Sequence, residues 1–134
     1  MLCESSVRVQ KVTWAGKFEG VSWGGEIRRG FEPQPGDIVS LEQWCSSGFA
    51  NTDLDLQLKK HEIHWVTVIG LLANACVEAT VRYAAELGYE VTVVKDAVAS
   101  LSAEEMYAAL DINLPRYANA IVKTDEIVDS ISSL

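Results

Sequence analysis

The chain has 134 residues, 49% of them hydrophobic, and a formal net charge of −8, so it can bury one core, and it has no apolar tract long enough to span a membrane. Its 11 Lys and Arg are scattered among 19 Asp and Glu, which argues against nucleic acid or an anionic membrane as partner, since both demand clustered basic charge. Cys3, Cys45 and Cys76 are odd in number and widely spaced, behind an N-terminus without a secretory pattern, and this predicts a soluble protein in a reducing cytoplasm.

Residues 1–34 are polar, glycine-rich and carry Trp14 and Trp23; they predict an irregular start, with the two tryptophans serving as a lid or a subunit contact. A strand is expected over 38–41, then a helix over 52–60, where Thr52 and Asp55 form an acidic variant of the capping box and Leu54 and Leu58 supply the inner face. His61 and His64 fall in the following connection, as surface or strand-end residues. His64-Trp65-Val66-Thr67-Val68-Ile69, β-branched and aromatic and closed by Gly70, predicts a buried strand. Val77, Thr80, Val81, Ala84 and Leu87 then recur at helical spacing up to Gly88, a residue suited to the position after a helix C-terminus. A strand over 90–94 follows.

Ser102 with Glu105 makes a capping box for a helix that turns Met106, Ala109 and Leu110 inward and stops at or just before Pro115. A short strand over 120–123 leads to a last helix opened by Thr124, with Ile127, Val128, Ile131 and Leu134 on one stripe, as core or subunit contact. Strands alternating with helices predict an α/β fold, a mainly parallel sheet in a three-layer αβα arrangement. No repeat or linker divides the chain, so residues 1–134 are expected to form one domain, with 1–34 irregular and 35–134 as the αβ core. There is no CxxC and no close His/Asp grouping, so neither a metal nor another cofactor is expected.

Cys76 ends the run Gly70-Leu71-Leu72-Ala73-Asn74-Ala75-Cys76, where the strand pattern stops and the helical pattern begins. Two readings of it stand side by side. Free cysteine is commonly a small buried hydrophobe. A cysteine on a first helical turn, however, lies near unpaired N–H groups and the positive end of the helix dipole, which favour thiolate and could hold an oxyanion.

Four segments in register resemble the isochorismatase-like cysteine hydrolases, a family that includes nicotinamidases and ureide amidohydrolases. Pro35-Gly36-Asp37-Ile38-Val39 resembles the family's strand entry, and Ser47-Gly48-Phe49-Ala50-Asn51-Thr52-Asp53-Leu54-Asp55 its turn and helix start. Val68 to Val77 with Thr80 resembles the nucleophile segment, and Leu87-Gly88-Tyr89-Glu90-Val91-Thr92-Val93-Val94-Lys95-Asp96-Ala97 the next strand. The resemblance implies a Rossmann-like, isochorismatase-like fold in which Cys76 is the nucleophile. It also implies a cis peptide at Leu71-Leu72 that turns the Leu72 N–H toward the oxyanion beside the N–H of Cys76. Ala73 stands where the family has threonine. The pocket would open at the C-terminal strand ends, with Trp44, Phe49, Asn74 and Leu72 on its rim; for Trp44 and Phe49 plain core burial is the alternative, and for Asn74 a role in orienting the turn.

The family's catalytic aspartate and lysine have no counterpart, and Glu42 stands near the lysine position as a possible proton acceptor. The sequence is similar to a domain lacking about two N-terminal strands. Their absence would leave the strand at 65–69 as an open edge, from which a homo-oligomer is expected. The metal ligands of nicotinamidases have no match. Two functions are thus in view: a cysteine hydrolase of a small amide, ureide or related molecule, or a catalytically silent relative or fragment acting as a binding or assembly module. Reactivity of the Cys76 thiol separates them.

Overall fold

The computed structural model describes residues 27–40 and 45–133. Among them the chain folds as α1 (Leu54–Lys60), β1 (Trp65–Leu71), a π-helical segment (Ala73–Val77), α2 (Glu78–Glu86) and β2 (Glu90–Ala99), followed by α3 (Ala103–Tyr107), β3 (Ala120–Val122) and α4 (Thr124–Ser132). The three strands are parallel in the order β1-β2-β3. Parallel neighbours require crossover connections, and α2 and the 103–116 segment supply them.

The pairing aligns Val66 with Val91 and Val68 with Val93, so one sheet face presents a row of valines. That face meets Val77, Val81 and Ala84 of the α2 side, with Leu58, Ala109 and Leu114 completing the core. The other face of β1 is bare: Trp65, Ile69 and Leu71 are 69%, 62% and 71% exposed. β1 also has no strand on its outer side among the described residues.

Local chemistry explains where the elements start and stop. Gly70 holds φ +123, a conformation that costs a glycine little, at a register shift where β1 advances from Val68 to Gly70 while β2 advances from Val93 to Val98. This bulge carries both strands further than expected, to Leu71 and Ala99 instead of Ile69 and Val94. It also frees Asp96, whose Oδ1 accepts from the Thr124 N–H (2.8 Å) and hydroxyl (2.9 Å) and so caps α4. At α3 the Ser102 Oγ accepts from the Glu105 N–H (3.2 Å), but the Glu105 carboxylate reaches the N–H of Leu101 instead of Ser102.

Two expectations need correction. Residues 38–40 form no strand; among the described residues no strand runs beside them to exchange ladder bonds, and Ser40 donates its hydroxyl to Asp53 (2.8 Å) while Ile38 packs on the core. Leu41 lies outside the described residues. The Thr52–Asp55 capping box is also absent, because each group has a nearer partner: the Thr52 hydroxyl bonds the Gly48 carbonyl (2.6 Å), and the Asp55 carboxylate takes Lys59 (2.9 Å) and the Tyr89 hydroxyl (2.8 Å).

Candidate active site around Cys76

β1 delivers the chain to the C-terminal end of the sheet, where the Leu71-Leu72 peptide bond is cis. Leu72 is extended (φ −90, ψ 140), and its carbonyl accepts from the N–H groups of both Ala75 and Val77 (3.1 Å each). The wider of these two loops makes residues 73–77 a π turn, not the first α-helical turn that the spacing suggested. π turns inside or beside α-helices recur at functional positions. Ala73 and Val77 point into the core, and Cys76 is half-buried with a free thiol.

Two side chains clamp this turn from elsewhere in the chain. Ser100, just past the end of β2, donates its hydroxyl to Asn74 Oδ1 (2.8 Å) and accepts the Asn74 N–H (3.4 Å). Thr80 donates its hydroxyl to the Cys76 carbonyl (2.7 Å) and accepts the Gly48 N–H (2.9 Å), tying the 47–49 loop to the cysteine. Further along α2, Glu78 accepts from Arg82 (2.5 Å) and from the Asn113 amide (3.2 Å), and the Arg82 guanidinium stacks 4.6 Å from the Tyr117 ring centroid.

The residues expected at the site are distributed unevenly. Leu71, Leu72, Asn74 and Cys76 are together on one turn. Glu42 and Trp44 lie outside the described residues, as do Cys3, Trp14 and Trp23. Phe49 is buried in the core, its ring 5.6 Å from that of Tyr89; the side chain is committed to packing and is not at a rim. Asn74 spends its side-chain oxygen on Ser100. Ser100 itself was not anticipated, and the Thr80 bonds were seen only as a helical spacing.

His61 and His64 are exposed. Among the described residues no three His, Cys, Asp or Glu side chains are grouped to hold a metal ion. A cavity of about 690 Å³ runs along α2, lined by Ser47, Ala50, Ala79, Arg82, Tyr83 and Leu87 among others. It does not include Cys76 or Asn74. The turn itself, with its thiol at the strand end, is the better chemical candidate.

The isochorismatase domain family matches residues 4–125 of the chain. The chain belongs to the isochorismatase family. Among relatives of this family, the ureidoacrylate amidohydrolase RutB of Variovorax paradoxus (strain S110) is 33% identical over 119 residues, covering 88% of this chain and 47% of the relative. Among solved structures, an isochorismatase-like hydrolase from Alkaliphilus metalliredigens superposes with a TM-score of 0.74 at 29% identity, over 82% of this chain and 60% of that one. A cysteine hydrolase from Pseudomonas syringae pv. phaseolicola 1448A gives 0.73 at 27%, over 81% and 55%. The chain spans about half the length of the curated relatives it matches.

Proposed function

We propose that this isochorismatase-family chain carries the nucleophile of a hydrolase acting on a small amide, ureide or related molecule. The observation that bears the reading is the free, half-buried Cys76 thiol on the turn between β1 and α2. The likeness to a ureidoacrylate amidohydrolase of Variovorax paradoxus adds to it.

In the proposed reaction Glu42 takes the thiol proton, and the Cys76 sulfur bonds to the carbonyl carbon. The carbonyl π pair becomes an oxyanion that accepts from the main-chain N–H groups of Leu72 and Cys76. Collapse of the oxyanion breaks the C–N bond, and the departing nitrogen takes the proton back from Glu42. Water then attacks the thioester carbon, giving its proton to Glu42; the C–S bond breaks, the carboxylic acid leaves, and the departing sulfur takes that proton back from Glu42, restoring thiol and carboxylate. Trp44 is proposed as a substrate wall.

Purified protein incubated with ureidoacrylate, nicotinamide and other small primary amides is expected to release ammonia from at least one, and Cys76→Ser to lower that release about a thousandfold or more. Undiminished hydrolysis by the serine variant overturns the reading, and no hydrolysis of any member favours a silent binding module.

We further propose that the chain forms a homo-oligomer and works in the reducing cytoplasm. The uncharged strand Trp65–Leu71 at an open edge is a template for association. Light scattering behind size-exclusion chromatography should give more than a monomer at micromolar concentration, and Ile69→Lys should shift it toward monomer. A monomeric native chain contradicts the assembly.

A further inference from the structure

We propose that Ser100 is a positioning residue for Cys76, an inference that rests on the hydrolase reading and extends it to a residue outside the nucleophile segment. The last rung of the β1-β2 ladder pairs Leu71 with Ala99. Ser100 therefore emerges beside the point where β1 gives way to the cysteine turn. From there its single hydroxyl engages Asn74 twice, donating to Oδ1 at 2.8 Å and accepting the main-chain N–H at 3.4 Å. Side chain and backbone of the same residue are thus held to one oxygen.

Asn74 lies two residues before Cys76 inside the Ala73–Val77 turn. On the far side the Cys76 carbonyl is held by Thr80. The cysteine is bracketed: β2 fixes the backbone ahead of it through Ser100, and α2 fixes the backbone after it through Thr80. Ala73 cannot supply a side-chain hydrogen bond of its own, so the polar anchoring of the first half of the turn falls to the Ser100–Asn74 pair.

Reactivity and stability should respond to Ser100 very differently. Both partners are half-buried, so water replaces much of what Ser100→Ala removes, and the melting temperature should fall by only about 4 °C. Displacement of a reacting atom by about 1 Å, in contrast, can slow a reaction about a hundredfold. A side chain that merely filled space or held β2 would show the opposite balance, or none.

The test is the second-order rate at which iodoacetamide alkylates Cys76 at neutral pH, read peptide by peptide, with Cys45 as internal reference. Ser100→Ala is expected to slow Cys76 about tenfold and leave Cys45 within about twofold, while Ser100→Thr, which keeps the hydroxyl, restores the rate. Ser102→Ala removes the α3 cap, whose acceptor bond goes to Glu105; it should cost similar stability without slowing Cys76. An unchanged or faster Cys76 rate in Ser100→Ala, an equal change at Cys45, or the same slowing in Ser102→Ala would overturn the assignment. If Cys76 of the native chain reacts no faster than Cys45, the hydrolase reading fails, yet the ratio of variant to native rate still decides the role of Ser100.

Discussion

Replacing Thr80 by valine keeps the shape of the side chain and removes its hydroxyl. Two bonds disappear with it: the one accepted from the Gly48 N–H at 2.9 Å and the one donated to the Cys76 carbonyl at 2.7 Å. A half-buried hydrogen bond contributes about 1 kcal/mol net, and a stranded N–H costs more than a stranded carbonyl because it has a single bonding direction. The Gly48 donor dominates, for Thr80 atoms already stand 3.6 Å from where a side chain on Gly48 would begin, leaving little room for water to replace the hydroxyl. The total comes to about 2 kcal/mol, or about thirtyfold in the unfolding constant. Thr80→Ser retains both bonds and loses one methyl, for about 1 kcal/mol. Urea titration followed by tryptophan fluorescence should show valine lowering the midpoint about twice as far as serine, at unchanged slope. If serine proves as costly as valine, methyl packing and not the hydroxyl joins the 47–49 loop to the cysteine turn, and the clamp is refuted.

Burial first, then the hydrogen bond to Asp55 and the charge of Asp55, push the Tyr89 phenol up to about 12 from 10.0. The folded state therefore favours neutral Tyr89, and this contribution is complete below pH 10 and lost as pH rises from 10 toward 12. Tyr89→Phe should remove the last phase of the tyrosinate absorbance titration and flatten stability over that window; an unchanged curve contradicts it. Leu114 is fully buried, and its carbonyl holds the N–H groups of Tyr117 and Ala118. Leu114→Ala should lose about 2–5 kcal/mol by calorimetry, against less than about 0.5 kcal/mol for the exposed Leu101→Ala. Glu42→Gln is expected to lower amide hydrolysis about a hundredfold or more if Glu42 moves the proton, and equal rates would remove it from the mechanism.

The elements that sequence made legible are those specified locally. The run Trp65 to Ile69 has β-branched residues and a closing glycine, α2 has its apolar spacing, and α3 has Ser102 at its cap; each starts within a few residues of where it was expected, but α3 stops at Tyr107 and the chain continues to Pro115 as π-helical (Ala108–Asn113) and 3-10 (Leu114–Arg116) turns. The strand expected at 38–41 fails in residues 38–40 because a strand exists only through its neighbours, and the pattern Ile38-Val39 contains no information about whether a ladder partner is present. The extension of β2 to Ala99 depends on the bulge opposite Gly70, a property of two strands together. β1 read as a buried strand, and its sequence alone carried no sign that Trp65, Ile69 and Leu71 would be exposed on one face.

At the site the position of Cys76 was legible because strand pattern and helix pattern meet there. Its clamps were not: Ser100 is 26 residues from Asn74, and Gly48 is 32 from Thr80, and hydroxyl residues at such separations carry no mutual signal. Phe49 was ambiguous for a related reason. An aromatic side chain serves a pocket wall or a core equally well, and Tyr89 opposite it decides for the core.

The central claim is that the fold sets one thiol apart from the other two. Labelling the native protein with substoichiometric iodoacetamide at pH 7 and quantifying carboxamidomethyl groups on Cys3, Cys45 and Cys76 by peptide mass spectrometry tests it directly. Cys76 should be modified about tenfold faster than either other cysteine, and that preference should vanish in denaturant. Equal modification of all three in the folded protein would contradict the account.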